Sequence, residues 1–210
     1  MQFRRNEEKE RNAERQVQRE CDAEACDTDR QLDADELLGM LAILLTAGHE
    51  TTTNLIGNGV FALLRHPAEG DRLRAEPALM ETAVEEMLRF ESPVATSTNR
   101  YAREALQIGG IEIGAGDLVI GAFTSANRDE RQFERAGDFD IARDPNKHLT
   151  FGQGGHYCIG APLARLEGKI AIGALLRRFP KLRFAENDAV VKWRRGMVLR
   201  GLERLSVSLT

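Results

Sequence analysis

The sequence predicts a mainly α-helical protein with small β-sheets. Three observations predict it. A largely apolar run begins at Leu32 and meets no strong stop before His66-Pro67. A second apolar helical segment runs from Pro162 to Phe179 and is closed by Pro180. Between them, Leu106-Gln107-Ile108 and Ile111-Glu112-Ile113 alternate around Gly109-Gly110, the pattern of a tight hairpin.

The first long helix carries its own start signal. Asp33 stands as N-cap with Glu36 three positions on, and Leu32 and Leu37 flank them as a hydrophobic staple. Running to His66, it has roughly 33 residues, about 50 Å. Leu37, Leu38, Met40, Leu41, Ile43, Leu44 and Leu45 cover every face, which predicts that its first half is a buried core helix. Its middle breaks the rules of helix design. Thr46-Ala47-Gly48-His49-Glu50-Thr51-Thr52-Thr53 places a glycine, an acid and four threonines inside an apolar rod. Glycine costs about 1 kcal/mol there relative to alanine, and threonine hydroxyls can bond back to preceding carbonyls. Such violations mark either a functional site or a tolerated kink.

After Pro67 the pattern gives a short polar helix, and Pro77 opens another that runs from about Ala78 to Phe90 before Pro93. Glu86 and Arg89 share a face of that helix, a spacing that by itself predicts an exposed ion pair. Leu118 to Phe123 reads as a further strand. Asn127 to Lys147 reads as a loop anchored by Phe133, Phe139 and Asp140. In the second long helix Leu163, Leu166, Ile170, Ile172, Leu175 and Leu176 are the expected core positions. Short strands are expected at Leu182 to Phe184, Val198 to Leu199 and Leu205 to Leu209. Residues 1–31 are mostly Arg, Glu, Gln, Asp and Asn, a charged leader, helical or disordered, without a core face.

Composition narrows the function. The 210 residues are 42% hydrophobic, enough for one substantial core. A net charge of −4 gives no reason to expect a nucleic-acid partner. The longest apolar run, Leu37 to Leu45, is far shorter than the ~20 residues of a membrane span, and no apolar signal-peptide core is seen near Met1. Three cysteines form no disulfide framework, and Cys21 and Cys26 read as ordinary thiols among acidic neighbours. The expectation is a cytoplasmic protein, with neither nucleic acid nor membrane as partner.

The strongest signal is Phe151 to Arg165, FGQGGHYCIGAPLAR. Gly152, Gly154, Gly155 and Gly160 surround Cys158 and remove Cβ atoms, so that backbone and a flat ligand can approach closely. At the entrance of a helix the thiol meets free N–H groups and the positive end of the dipole, which favour the thiolate. A lone thiolate of this kind is a nucleophile or a metal ligand.

This stretch resembles the haem-binding signature of the cytochrome P450 family, F-G-x-G-x-H-x-C-x-G, with every defining position filled. Ala47-Gly48-His49-Glu50-Thr51-Thr52 is similar to that family's oxygen-activation segment, and Glu86-Met87-Leu88-Arg89 to its E-x-x-R motif. Arg195 to Leu202 is similar to the tail of soluble bacterial members, while Ala136 stands where the family often has proline. The resemblance covers residues 32–210 and implies the C-terminal, haem-proximal half of that fold, a partial domain, since members run to roughly twice this length. It implies haem b as cofactor, with Cys158 as the iron ligand and Phe151 packed beside it. Gly152 and Gly160 shape the loop, His156 and Arg100 take the propionates, and Ala47 and Gly48 leave room for dioxygen and the ring. Glu50 and Thr51 become the proton-delivering pair, and Glu86, Arg89 and Arg143 a structural triad. The implied reaction is monooxygenation of a small organic substrate by dioxygen, with electrons from a ferredoxin-type donor. The alternatives are a truncated remnant that binds haem or acts only through interactions, a haem-thiolate protein using peroxide, and a thiol nucleophile with His156 as base. The retained Glu50–Thr51 pair speaks against the peroxide reading. For the last, residues two apart across a glycine turn rarely align base to nucleophile.

Overall fold

The structure, a computed structural model, describes residues 32–185 and 191–210. The leader, residues 1–31, lies outside the described residues. Two compact units divide between Leu44 and Leu45, inside the first helix, α1 (Ala34–Arg65).

Helix α1 starts as its sequence specifies. The Asp33 carboxylate accepts from the backbone N–H of Glu36 at 2.8 Å, and the Glu36 carboxylate accepts from that of Asp33 at 3.1 Å. The first half is not a core, contrary to expectation. Leu38, Ile43 and Leu45 are 67%, 68% and 73% exposed, and Leu37, Met40, Leu41 and Leu44 are exposed as well. Hydrophobicity on every face records what a helix can bury, not what it does bury. Burial begins at Thr52 and runs through Leu55, Asn58 and Val60 to Leu63.

Helices α2 (Pro67–Ala75) and α3 (Met80–Phe90) follow, the latter entered through a 3₁₀ turn at Pro77–Leu79. Helix α2 and the 3₁₀ turn each begin at a proline, whose missing N–H costs nothing in a first turn. Strand β1 (Arg100–Tyr101) pairs with β4 (Leu118–Val119), and β2 (Leu106–Ile108) with β3 (Ile111–Ile113), both antiparallel. Gly109 and Gly110 turn the hairpin at φ +58° and +85°, a conformation that glycine adopts without a Cβ penalty. The strand expected to Phe123 stops at Val119. Gly121 is held by Ser97 from both sides, its N–H donating to Ser97 Oγ and its carbonyl accepting from Ser97 N, and Phe123 already opens the short helix α4 (Phe123–Ala126).

The long loop after Asn127 is anchored by buried Phe133 and Phe139, as expected. It leads through a 3₁₀ turn (Gly154–His156) to α5 (Ala161–Arg178), and β5 (Arg183–Phe184) pairs with β6 (Val207–Ser208). Helix α5 is only partly core. Ile172 and Leu176 are buried, whereas Leu163, Leu166 and Ile170 are 58%, 52% and 60% exposed. Two glycines let α1, α3 and α5 meet. A Cβ on Gly168 would stand 3.2 Å from Leu55 Cδ2 and 3.4 Å from Val84 Cγ1. One on Gly59 would stand 2.8 Å from Met87 Sδ and 3.2 Å from Ile172 Cδ1. The pairs Leu55–Gly168 and Gly59–Ile172 advance together, so α1 and α5 run roughly parallel where they touch.

Candidate functional site

The cysteine loop is shaped by its own backbone. Gly152 N–H donates to Leu149 O, Tyr157 N–H to Gly154 O and Cys158 N–H to Phe151 O, each at 2.9 Å. Gly152 and Gly154 sit at φ +74° and +76°, where a side chain is strained. Gly160 caps α5, and Cys158 lies two residues before it with an exposed thiol. A Cβ on Gly160 would approach Cys158 Sγ to 3.7 Å, and one on Gly155 would meet no atom within 4 Å. His156 is exposed on the 3₁₀ turn. Phe151 is half-buried between two aromatic neighbours, with ring centroids 5.8 Å from His148 and 6.3 Å from Tyr157.

On α1 the threonine interruption is bonded back along the helix. Thr51 Oγ1 donates to Ala47 O at 2.6 Å and Thr53 Oγ1 to His49 O at 2.9 Å, the competition with the backbone ladder that threonine predicts. The helix nevertheless continues unbroken. Gly48 has open space beside it, since a Cβ there would meet nothing within 4 Å. Glu50 is paired with Arg194 Nη1 at 3.2 Å. Arg194 comes from the C-terminal segment, which is pinned to the start of the sheet region by Ala95 N–H to Val198 O and Arg200 N–H to Pro93 O. Asn58, fully buried on α1, fixes the same segment by donating to Arg200 O at 2.9 Å and to Glu91 O at 3.1 Å. Glu50, Asn54, Arg194 and the apolar Met197, Val198 and Leu199 line a cavity of about 390 Å³.

Thus the structure gathers Phe151, Gly152, His156, Cys158 and Gly160 in one loop. It holds Ala47, Glu50 and Thr51 together on α1. Arg100 stands exposed at the head of β1 and joins neither group through a hydrogen bond among the described residues.

The Glu86–Arg89 pair is not exposed. Both side chains are at 0% exposure, joined through Arg89 Nε at 2.7 Å and Nη2 at 2.8 Å. Arg143 Nε adds a contact to Glu86 at 3.1 Å. Arg89 spends its remaining donors on the carbonyls of Asn127, Ala136 and Asp138. Spacing alone misplaced this pair, because the partners that bury it lie some 40 to 60 residues further along the chain.

Sequence reasoning also missed a cluster behind the cysteine loop. Arg165 reaches Glu85 with Nε at 2.7 Å and Nη2 at 2.9 Å, and His148 Nε2 stands 3.2 Å from the same carboxylate. Burial opposes the charge on Glu85, but the hydrogen bonds from His148 and Arg165 outweigh it and lower the carboxyl to about 2. The one available signal was Arg165 itself, a charged residue on the apolar helix that follows the cysteine.

A family model described as Cytochrome P450 matches residues 1–200, taking in the leader as well. Cytochrome P450 107B1 of Saccharopolyspora erythraea is 48% identical over 184 residues, 88% of this chain and 45% of that protein. Cytochrome P450 monooxygenase PikC of Streptomyces venezuelae is 48% identical over 84% of this chain and 42% of its own length. Among solved structures, the cytochrome P450 PksS of Bacillus subtilis superposes with a TM-score of 0.83 at 48% identity, covering 86% of this chain and 46% of that one. The chain therefore spans a little under half the length of these relatives. No helix among the described residues is long and apolar enough to cross a membrane. With the family model running over nearly the whole sequence, and with 48% identity to proteins that share its fold, the chain belongs to the cytochrome P450 family.

Proposed function

We propose that this chain is the haem-thiolate part of a cytoplasmic monooxygenase acting on a small organic substrate, with Cys158 as the iron ligand of haem b. The residues present suit the group. Cys158 offers a single soft donor, exposed and held by the Phe151 carbonyl through its own N–H. Gly48 and Gly155 have no atom within 4 Å of where a Cβ would stand, as a cradle for a flat ring requires. His156 and Arg100 are the exposed side chains offered to the propionates. The chemistry such a group supplies is reductive activation of dioxygen, one oxygen atom entering the substrate and the other leaving as water, with two electrons and two protons consumed.

The protons are the task of α1. Thr51 Oγ1 now donates to Ala47 O and can turn that hydrogen outward. Glu50, partly exposed and paired with Arg194, stands beside the cavity where it can relay a proton between solvent and the site. The apolar wall of Met197, Val198 and Leu199 suits an organic substrate. Electrons come from a ferredoxin-type donor docking on the cysteine side.

The observation that carries this reading is Cys158 in its glycine loop at the head of α5. Its test is the spectrum of the reduced carbonyl complex. The parent is expected to give the strongly red-shifted Soret band of a thiolate ligand, and Cys158→Ser to lose it while retaining some haem. Equal spectra for both would overturn the assignment. A second reading, a haem-binding chain that acts through interactions alone, draws on the exposed apolar stretch of α1 and on Leu163, Leu166 and Ile170 of α5. Haem uptake without substrate oxidation, when electron donor and dioxygen are supplied, favours it.

A further inference from the structure

Behind the cysteine loop lies a side-chain cluster that the monooxygenase reading does not use. Glu85, on α3, is 23% exposed at its side chain, and His148, before the loop, only 2%. The His148 ring accepts the Thr150 N–H at Nδ1 (3.3 Å), which leaves the proton on Nε2 to be donated to Glu85. Arg165, on α5, grips both oxygens of Glu85 with Nε and Nη2 in the fork geometry that arginine alone provides. Its remaining nitrogen, Nη1, donates to the Tyr157 hydroxyl at 3.1 Å, and its guanidinium lies 4.5 Å from the centroid of the Phe151 ring.

Phe151 and Tyr157 are the two ends of the loop that presents the thiol. The Phe151 ring is held by His148 on one side and Arg165 on another, both of which terminate on Glu85. The Phe151 carbonyl in turn takes the Cys158 N–H at 2.9 Å. One carboxylate therefore fixes both ends of the segment that leads to the cysteine, Phe151 and Tyr157, from outside it. The segment needs such a fixture, because its three glycines, Gly152, Gly154 and Gly155, leave it with little conformational preference of its own.

We propose that Glu85 is a positioning residue for the cysteine loop: gripped by His148 and Arg165, it holds Phe151 and Tyr157 so that Cys158 stands in place before a ring is bound. The role rests on the reading of Cys158 as iron ligand, and its consequence is faster and tighter haem capture by a loop already ordered.

The test is amide hydrogen exchange on the full, haem-free chain, resolved by peptide, for the parent, Glu85→Gln and Arg165→Lys. Glutamine keeps the shape of Glu85 but turns an NH₂ toward one of its two donors. Lysine keeps the charge of Arg165 but cannot span both oxygens and Tyr157. The expected result is exchange faster by about tenfold or more at the Tyr157 and Cys158 amides in Glu85→Gln, less in Arg165→Lys, with the β2–β3 hairpin and Met87–Phe90 unchanged. Haem titration of the same variants should then show affinity reduced by about tenfold, in the same order. Unchanged exchange at the loop in a folded variant overturns the proposal, and so does acceleration that is equal everywhere, which marks a merely structural residue. Should Glu85→Gln fail to fold, Arg165→Lys decides by the same criterion. Exchange is read without haem, so the two readings fail separately. A loop that responds in a chain taking up no haem refutes the iron ligand and leaves the positioning intact, whereas a silent loop with normal haem capture does the reverse.

Discussion

Replacing Glu86 by glutamine is the sharpest test of how the fold supports the loop. The Glu86 carboxylate accepts from Arg89 Nε (2.7 Å) and Nη2 (2.8 Å), the Asp140 N–H (2.9 Å), Arg143 Nε (3.1 Å) and Asn146 Nδ2 (3.1 Å). Every one of these is a donor. Glutamine offers one accepting oxygen, and its NH₂ must face the donors that used the other. The charge that balances Arg89, itself at 0% exposure, is lost at the same time. Breaking a buried pair from one side costs about 3–5 kcal/mol, a large share of the roughly 5–15 kcal/mol that holds a domain folded. Urea unfolding followed by far-ultraviolet circular dichroism reads this directly. With a denaturant slope of about 2 kcal/mol per molar, a loss of about 4 kcal/mol moves the midpoint down by about 2 M. A shift of under about 0.3 M with an unchanged slope would refute the argument, since it would mean that Arg89 finds water or another acceptor once Glu86 is neutral.

Three further outcomes follow from the same contacts. Glu85, lowered to about 2 from an ordinary value near 4.5, contributes stability that is complete above pH 4.5 and disappears as the pH falls toward 2; acid unfolding of Glu85→Gln should lack that part of the transition, and identical acid profiles would contradict the hydrogen bond from His148 and the ion pair with Arg165. Thr51→Ala should keep the haem content of the parent while diverting electrons to peroxide in a turning-over preparation, because it removes only the hydroxyl bonded to Ala47 O; unchanged coupling would leave the threonine a purely conformational part. Leu38→Glu, at a position 67% exposed, should change the unfolding free energy by less than about 0.5 kcal/mol, against about 2–5 kcal/mol for Leu55→Ala at 1% exposure; equal costs would show that the start of α1 is packed after all.

Much of the fold was legible because local chemistry decided it. The Asp33–Glu36 box, the prolines at 67, 77 and 162, and Gly109-Gly110 each act within a few residues, and the elements they mark are all present. The cysteine loop was legible for the same reason, since its glycines and its thiol are contiguous. What the sequence could not convey was long-range pairing. By spacing alone Glu86 and Arg89 read as a surface pair; the carbonyls of residues 127, 136 and 138 enclose them, and Arg143 joins them as the resemblance implied. The strand expected to Phe123 was cut short by Ser97, 24 residues earlier. Arg194 pairs with Glu50 across 144 residues, and no local pattern announces it.

The two long helices make the same point in opposite directions. Hydrophobic pattern alone assigned the core to Leu37–Leu45 and to Leu163, Leu166 and Ile170, all of which the structure leaves exposed. The actual core of α1 lies further on, in a stretch that includes Asn54, Asn58 and Gly59 and so looks less like a core than the leucine run before it. Glycine decides the matter. Gly59 and Gly168 bring three helices close enough for Leu55, Val84, Met87 and Ile172 to interlock, while the side chains of Leu37, Leu38, Leu41 and Leu44 are exposed. From Thr52 onward, burial on α1 follows where backbones can approach, in a stretch less apolar than the leucine run before it. The cysteine follows from that geometry. Leu55 and Gly168 touch one turn beyond Thr51 and ten residues beyond Cys158. The polar interruption and the thiol therefore both lie N-terminal to this contact along the chain.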